Sequence, residues 1–258
     1  MINKLKEIYR YRELILNLIF RDLADRYKRA AIGFLWALLE PLGLMVIYAV
    51  VFSFIIKLAI PDYPVFLICG LIPWIYFSKS LIYCTESVIK DRHLVKKIYF
   101  PREVLPIASV LARFVNFAIS LTLLLVFLVF CRGLDPLILL WLVPVIVVQT
   151  VLSIGLALIF SSLNVYFQDV GLLLDFLVTI WLYLTPVFYS ITMVPEKFKL
   201  IYILNPAVGI ISSYKDILFY KKAPLTLEFC ISAFLSVIVL IMGAKIFFIL
   251  NKRIGELV

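Results

Sequence analysis

Four ionisable side chains inside otherwise apolar stretches are the residues of this 258-residue sequence best suited to do chemistry. They are Glu40, Lys79, Arg113 and Asp175. A charge within a membrane-length apolar segment usually marks a substrate or ion pathway, or pairs with a group on another helix. All four lie near the ends of their segments, so snorkelling or helix pairing explains them as well as a proton pathway does. The sequence shows no charge near the middle of such a segment, where an ion-coupled transporter would be expected to carry one.

Motifs for nucleotide binding or covalent chemistry are absent from the sequence. It contains no GxxxxGK(S/T) phosphate-binding loop, no GxSxG and no HExxH. His93 is the only histidine, and the four cysteines lie far apart with no CxxC pair, so neither a zinc site nor a disulfide framework is supported. We therefore expect no catalytic residue, no metal and no cofactor, and no ATP binding through a phosphate-binding loop.

Aromatic side chains give a stronger functional signal, with 21 Phe, 14 Tyr and 4 Trp in the sequence. Those in two of the apolar stretches that could line a pathway are Trp74, Phe77, Trp181, Tyr183, Phe188 and Tyr189. Aromatic faces stack on the apolar faces of sugar rings, so they can support a sliding polymer without holding any one unit tightly. An interfacial aromatic belt is the alternative explanation for residues at the ends of a span.

The elements that carry these residues are apolar stretches of membrane length. Hydrophobic residues form 64% of the chain and charged residues 16%, and a helix crosses the hydrocarbon core of a bilayer in about 20 residues. The six stretches cover residues 36–56, 65–83, 104–130, 137–160, 172–194 and 227–250. Only helices and closed barrels satisfy their backbone groups in lipid, and barrel strands would show alternating polarity instead. The sequence therefore predicts an all-α polytopic membrane protein, with six transmembrane helices in one domain over 36–250.

Lys and Arg are unevenly distributed between the two sides that this topology creates. They concentrate in residues 1–35, in the loop 84–103 and in the tail 251–258, whereas the opposite loops carry fewer. Because positive charge favours the cytoplasmic side, we expect a multi-pass protein of the cytoplasmic (inner) membrane with both termini in the cytoplasm. The net charge of +9 then reflects topology and contact with anionic membrane lipids, and no nucleic acid is expected as a partner.

An amphipathic helix is predicted within the N-terminal segment. Between residues 5 and 30, apolar side chains recur every three or four positions, so the helix should lie flat in the membrane interface. Charges of both signs stand four apart on its last turns, as in the pairs Arg21 with Asp25 and Asp22 with Arg26. A plain membrane anchor and a docking surface for a cytoplasmic partner both fit this pattern.

Two connecting segments have more pattern than a plain loop requires. The loop 84–103 predicts a short helix that ends before its proline, and its mixture of charged and apolar residues suits a protein contact. The external segment 195–224 contains apolar pieces too short to span a bilayer, which predicts re-entrant or interfacial half-helices that form a gate or a lid. Ser153, Ala157 and Ser161 stand four apart and allow close helix approach, within one subunit or between two.

Four segments resemble one known family. They read RDLADRYKRAAIGFLWALLEPL at 21–42, LVKKIYFPREVLP at 94–106, NVYFQDV at 164–170 and LNPAVGIISSYKDILFY at 204–220. In content and order they are similar to the permeases of ABC transporters that export polysaccharides such as O-antigen, teichoic acid or capsule. The chain departs from that pattern at Glu40, where Asn is frequent, and at Gln168, where Arg is frequent.

The resemblance implies a homodimer of six-span subunits that pairs with two copies of a separate ATP-binding subunit and exports a polyprenyl-diphosphate-linked polysaccharide. Coupling to the ATPase would use about Ile15–Arg29 and Glu86–Lys97. The charged residues there that we expect to couple are Arg21, Asp22, Asp25, Arg26, Glu86, Lys90, Asp91, Arg92, His93 and Lys96. Charge and depth favour three cations for the lipid diphosphate, namely Arg26, Lys28 and Arg29. The external gate maps onto 195–220 and contains Asn205, Pro206 and Tyr214.

Two alternatives to polysaccharide export stay open. The same fold could carry a small amphipathic drug or lipid, although the aromatic-rich spans and the external half-helices favour a polymer. An intramembrane acyl or glycosyl transferase should instead present an acid or a histidine within a cluster at the membrane surface, and the sequence shows no such cluster.

Overall fold

The computed structural model describes residues 8–28, 32–57, 60–97 and 100–257, and the regular structure within these ranges is helical. The α-helices are, in chain order, α1 Arg12–Tyr27, α2 Trp36–Val50, α3 Tyr63–Thr85, α4 Ser87–Lys90, α5 Arg92–Lys97, α6 Val104–Arg132, α7 Leu142–Tyr166, α8 Asp169–Tyr183, α9 Glu196–Ile203, α10 Pro206–Leu218 and α11 Leu227–Leu257. Shorter 3-10 or π segments are Gly33–Leu35, Val51–Ile55, Ile138–Trp141 and Ile191–Met193. The prediction of an all-α protein is confirmed for the described residues.

Five helical stretches in the described ranges are long and apolar enough to cross a membrane. They are Trp36–Ser53, Tyr63–Thr85, Val104–Arg132, Ile138–Tyr166 and Leu227–Asn251. Five of the six predicted stretches thus correspond to helices of membrane length. Two of them run further than expected, because the fourth continues to Tyr166 instead of ending at 160, and α11 continues to Leu257 through most of the predicted tail.

The predicted fifth span, 172–194, differs from the structure. Helix α8 covers Asp169–Tyr183, which is 15 residues, or about 23 Å at 1.5 Å per residue, and is shorter than the ~30 Å hydrocarbon core. Pro186 explains this early end, since proline lacks an amide donor and disfavours helix at the residue before it. Residues 184–190 follow as turns, and α9 and α10 come after them.

Helix α3 is the centre of the bundle. In the most apolar stretch of α3, 72% of the residues are buried. The corresponding share is 11% in Trp36–Ser53 and 17% in Leu227–Asn251. Buried side chains of α3, α6, α7 and α10 form one continuous core that includes Phe66, Phe117 and Tyr214. The outer helices α2, α8 and α11 keep exposed apolar faces, as expected of helices that contact lipid or another subunit.

Helices α7 and α11 approach each other very closely. A Cβ added at Gly155 would lie 2.7 Å from a backbone nitrogen of α11, and one added at Gly243 would clash with the backbone of Gly155. The small residues Ser153, Ala157 and Ser161 on the same helix α7 are fully buried. The face formed by these three residues is therefore packed within one chain, whereas the close approach to α11 is made by Gly155 and Gly243.

The bundle has two chemically different ends. One holds α1, α4, α5 and the last turns of α11, and there Arg102 donates to the Asn251 carbonyl at 2.9 Å. The other holds residues 184–226 and the connections α2–α3 and α6–α7, and there Asp62 pairs with Arg132. We refer to them as the terminal end and the loop end.

Candidate functional site

Helix α1 packs onto the bundle along its apolar stripe. Leu18, Ile19, Leu23 and Tyr27 are buried in a separate core with side chains of α4 and α6. The apolar face that the sequence assigned to the membrane interface therefore contacts protein. Phe20 of α1 is 67% exposed and is available to lipid or to a partner.

Charged residues of α1 bind the segment between α3 and α6 instead of one another. Arg21 donates to Asp91 at 2.6 Å, and the Lys90 amine lies 3.4 Å from Asp22. Asp22 also pairs with Arg113 of α6. The predicted pairs four residues apart along α1 do not occur among the ion pairs of the described residues, because these tertiary partners take the side chains. We call Arg21, Asp22, Lys90 and Asp91 the charge clamp.

The other predicted coupling residues lie mainly at the surface. Five of them are exposed, namely Asp25, Glu86, Arg92, His93 and Lys96, whereas Arg26 is half-buried and turns toward α2. Two short helices, α4 and α5, stand where one was predicted. The charge clamp fixes this exposed surface relative to α1, so both predicted coupling segments form one unit.

A second group of charges lies between α1, α2, α3 and α6. Lys79 donates to both carboxylate oxygens of Glu40, and Arg26 Nη2 lies 3.8 Å from Glu40 Oε2. The Tyr27 hydroxyl donates to the side-chain oxygen of Asn116 at 2.9 Å. Helix pairing therefore accounts for Glu40 and Lys79, for which the sequence left pairing and a proton pathway equally open.

The structure does not gather the three predicted diphosphate residues into one described site. Arg26 faces a carboxylate of α2, Lys28 is exposed at the end of α1, and Arg29 lies outside the described residues. Asp175, the fourth ionisable residue of the apolar stretches, is exposed on α8 beside exposed apolar side chains such as Phe176.

Asn164 joins three helices at the terminal end. Its amide donates to the Thr85 carbonyl at 3.1 Å, and its side-chain oxygen accepts from the Gly171 amide at 3.2 Å. The residue is 3% exposed. It therefore ties the last turn of α3, which leads into α4, to the start of α8. Sequence reasoning missed this role, although a polar residue closing an apolar stretch was a visible signal.

Three of the six aromatic residues predicted to line a pathway lie in the core instead. Trp74, Phe77 and Phe188 are 4%, 2% and 1% exposed, so they cannot contact a polymer in this conformation. Their rings pack against neighbours, as Phe77 does edge-on against Trp181 with 5.2 Å between ring centres. The other three are partly or fully exposed, namely Trp181, Tyr183 and Tyr189.

Asn205 organises the loop end. Its side-chain oxygen accepts from the Ala207 amide at 3.1 Å, which caps α10, and from the Trp181 indole at 2.8 Å. Its amide donates to the Leu184 carbonyl at 3.0 Å. Pro206 follows as the first residue of α10, where proline removes no helical hydrogen bond. These two predicted gate residues therefore connect the start of α10 to the end of α8.

Tyr214, the third predicted gate residue, is a buried support. It has no exposed surface, and its hydroxyl donates to the Gln149 side-chain oxygen at 2.6 Å. The Gln149 amide donates in turn to the Pro73 carbonyl at 2.7 Å. These bonds link α10 to α7 and α3. Gln149 went unnoticed in the sequence, although it is the one amide side chain in its apolar stretch.

Lys215 is a buried cation that sequence reasoning also missed. Its amine donates to the carbonyls of Val187 at 2.9 Å and Tyr189 at 3.3 Å, and to that of Pro186. Burial lowers the pKa of the Lys215 amine well below its ordinary value. The three carbonyls belong to the non-helical residues after α8, and buried backbone of this kind needs hydrogen-bond partners. Lys215 therefore stabilises the chain where α8 has ended.

The described residues contain neither a cluster of metal-binding side chains nor a disulfide-bonded pair of cysteines. Within the described ranges, no group of three His, Cys, Asp or Glu side chains is placed to hold a metal ion. All four cysteines are free. The described residues provide ion pairs between helices, a close contact of α7 with α11, and a helix α8 that ends before Pro186.

The structure is thus a bundle of membrane-length helices with a charged connection at one end and short helices at the other. Residues 13–219 match the ABC-2 type transporter family, and the chain belongs to that family. A similar protein is the O-antigen export system permease protein RfbA of Klebsiella pneumoniae, 34% identical over 95% of both chains. The protein of that name from Myxococcus xanthus is 34% identical over 96% of both. The polysialic acid transport protein KpsM of Escherichia coli is 25% identical over 77% of this chain and 78% of its own.

Proposed function

We propose that the chain is the transmembrane permease subunit of an ATP-driven exporter, which moves a polyprenyl-diphosphate-linked polysaccharide across the cytoplasmic membrane. The observation that carries this proposal is the similarity over 95% of the chain to an O-antigen export permease. A second similar protein is named for polysialic acid transport, which favours a sugar polymer over a small amphipathic drug or lipid as cargo. Because the sequence has no phosphate-binding loop, a separate subunit hydrolyses the ATP.

The sixth membrane crossing is made by α8 together with the turns that follow it. Gly171, near the start of α8, bonds to Asn164 at the terminal end, while the Tyr63 hydroxyl donates to the Phe188 carbonyl at 2.9 Å at the loop end. Residues 171–188 thus reach from one end of the bundle to the other. With six crossings, both termini lie on the same side of the membrane. The excess of Lys and Arg on that side favours a cytoplasmic location for both termini. The half-helices α9 and α10 then form the external gate.

Two copies of the chain enclose the conduit. Asp175, Thr179 and Tyr183 stand four apart on α8 and are all exposed, so they form one polar stripe. Apart from Asp169 at the start of the helix, the other exposed side chains of α8 are apolar. A carboxylate at this depth almost always faces a bundle interior or water. A second copy against α8 gives Asp175 such surroundings and makes the stripe, with Trp181 and Tyr189 near its outer end, a wall of the conduit.

The ATP-binding subunits dock on the exposed surface of α4 and α5. Lys96 and Arg92 are exposed there, so a partner surface with acidic residues suits it. Pressure on this surface moves α3 directly, because α4 follows α3 without a loop. The charge clamp carries the movement to α1 and Asn164 carries it to α8, so the binding energy of ATP shifts the helices that line the conduit.

The cargo enters with its diphosphate at the terminal end. Arg26, Lys28 and Arg29 belong to one short run of sequence there, and cations close to a membrane surface attract anionic headgroups. The lipid part of the cargo stays in the inner leaflet beside the exposed apolar face of α2.

Deleting the gene tests this function. Cells that lack the chain should lose surface polysaccharide and accumulate lipid-linked polymer inside, as seen by staining intact and permeabilised cells. Restoring the gene should restore the surface stain. Unchanged surface polysaccharide, or loss at the surface with no polymer inside, would contradict export as the function.

A further inference from the structure

A small cavity between α1, α2, α3 and α6 has an unusual lining. Its volume is about 30 Å³, which is room for one or two water-sized groups. Three cations and a single carboxylate line it, namely Arg26, Lys79, Arg113 and Glu40. Asp22 lies outside the lining and pairs with Arg113, so two carboxylates offset the three cations and one positive charge is in excess around the empty space. We call this space the basic cavity.

The basic cavity also lacks acceptors for its hydrogen-bond donors. Arg113 Nε and Asn116 Nδ2 are buried without a hydrogen-bond partner among the described residues, and both residues line the cavity. The Tyr27 hydroxyl donates to the side-chain oxygen of Asn116 at 2.9 Å. The Ser120 hydroxyl donates to the Ala37 carbonyl at 2.6 Å. A buried donor without an acceptor costs free energy. An anionic oxygen, which only accepts, supplies what the cavity lacks.

Glu40 fills the acceptor role in this conformation. Its two carboxylate oxygens accept from Lys79, and Arg26 lies 3.8 Å away. The Glu40 side chain is 32% exposed, whereas that of Arg113 is 4% exposed. The carboxylate can therefore turn toward water while the guanidinium stays in place.

The basic cavity lies toward the terminal end of α3. Lys79 precedes the end of α3 at Thr85 by about 9 Å of helix. The headgroup layer on each side of a bilayer is roughly 5–7 Å thick, so a lysine at this depth reaches the border between headgroups and acyl chains. A phosphate whose lipid tail lies in the leaflet can meet Lys79 there.

We infer that the basic cavity binds a phosphoester anion, and that Glu40 is a built-in competitor which the anion displaces from Lys79 and Arg26. This inference rests on the proposed function, since the cargo there ends in a lipid diphosphate. The cavity has room for one or two oxygens of a diphosphate, and these bring acceptors to the unpartnered donors of Arg113 and Asn116. The anion thus binds deeper than Lys28 at the end of α1.

Binding of three probes to the full-length chain in phosphatidylcholine nanodiscs tests the inference by calorimetry. The probes are farnesyl diphosphate, inorganic pyrophosphate and farnesol. Glu40→Gln should tighten farnesyl diphosphate binding about tenfold, because it removes a nearby like charge and frees two cations. Adding Lys79→Gln to that variant should reverse the gain without leaving an unpaired carboxylate. Asn116→Ala should weaken binding roughly two- to tenfold through one lost hydrogen bond.

Lys57→Gln, at an exposed lysine in the connection between α2 and α3 at the loop end, is the matched control and should leave every affinity unchanged. If the variants change the affinities for pyrophosphate and farnesyl diphosphate equally, the site takes any phosphate anion. If only the affinity for farnesyl diphosphate changes, the site takes a lipid headgroup. Unchanged or weaker binding in folded Glu40→Gln, no diphosphate binding in either protein, or farnesol binding that follows the same variants would overturn the inference. Export lost on gene deletion while these affinities do not change would overturn this site and leave the proposed function standing.

Discussion

Buried polar side chains form hydrogen bonds with backbone groups that the helices leave unpaired. Lys215 binds three carbonyls after α8, and Asn164 binds the Thr85 carbonyl and the Gly171 amide. The hydrocarbon core of a bilayer contains no water that could form hydrogen bonds with such groups. Lys215 therefore stabilises the chain after α8 has ended, and Asn164 bonds to backbone groups that the ends of α3 and α8 leave unpaired.

Replacing Lys215 tests this role most simply. Lys215→Met keeps the apolar stem but leaves three carbonyls without a donor, so the loop end should lose about 2–4 kcal/mol of stability. Thermal unfolding of the detergent-purified chain and surface polysaccharide in cells measure the effect. Lys199→Met is the matched control, because Lys199 bonds only to the exposed Glu196 and should change little. Equal unfolding temperatures for the two variants would contradict the role.

The sequence alone did not show what individual residues bind. Asn205 and Pro206 were named as gate residues through the family resemblance, and the structure places them at the start of α10, where Asn205 caps the helix. Lys215 was missed because its carbonyl partners lie more than twenty residues earlier and only the fold brings them together. Phe188 was expected to line a pathway but is buried, because a sequence does not show whether an aromatic side chain is exposed.

At the scale of elements, the charge clamp makes α1, α4 and α5 one unit. It joins Arg21 to Asp91 and Lys90 to Asp22 across the chain. Periodicity predicted the helix α1 but not what its charges bind, since pairs along one helix and pairs between helices use the same residues. Pro186 was visible in the sequence, yet the composition of 172–194 still read as one span because hydropathy does not register a break.

The clamp predicts a rescue by exchanged charges. Arg21→Asp or Asp91→Arg alone places like charges together and should reduce export, whereas the double variant restores the pair and should recover most of it. The expected coupling is about 0.5–1 kcal/mol for this partly exposed pair. Export is measured by surface polysaccharide. Additive losses in the double variant would show that the two residues act separately.

The close approach of α7 and α11 predicts a steric effect. Gly155→Leu should destabilise the bundle by about 1–3 kcal/mol or more, because even a Cβ at Gly155 meets the backbone of α11. Gly43→Ala is the control, since a Cβ at Gly43 has no neighbour within 4 Å. Unfolding temperatures of both variants in detergent give the comparison, and a stable Gly155→Leu protein would refute the packing described.

At the scale of the whole molecule, the proposed dimer places two copies of the chain against each other along α8. Leu173 is 59% exposed and its neighbour Leu174 is 2% exposed. Leu173 should therefore face the second copy or the conduit, whereas Leu174 is buried within its own chain. In a background with the four native cysteines replaced, Leu173→Cys should form an intermolecular crosslink in membranes and Leu174→Cys should not. Crosslinking of neither, or of both equally, would contradict this arrangement.

The most direct test of the account is transport by the reconstituted complex. The chain and its ATP-binding subunit are placed in liposomes, lipid-linked polysaccharide is added on the side of the ATPase, and polymer protected inside the vesicles is measured. Protected polymer should rise with ATP, stay at background with a non-hydrolysable analogue, and require both subunits. Polymer that crosses without ATP, or ATP hydrolysis by this chain alone, would contradict a permease driven by a separate motor.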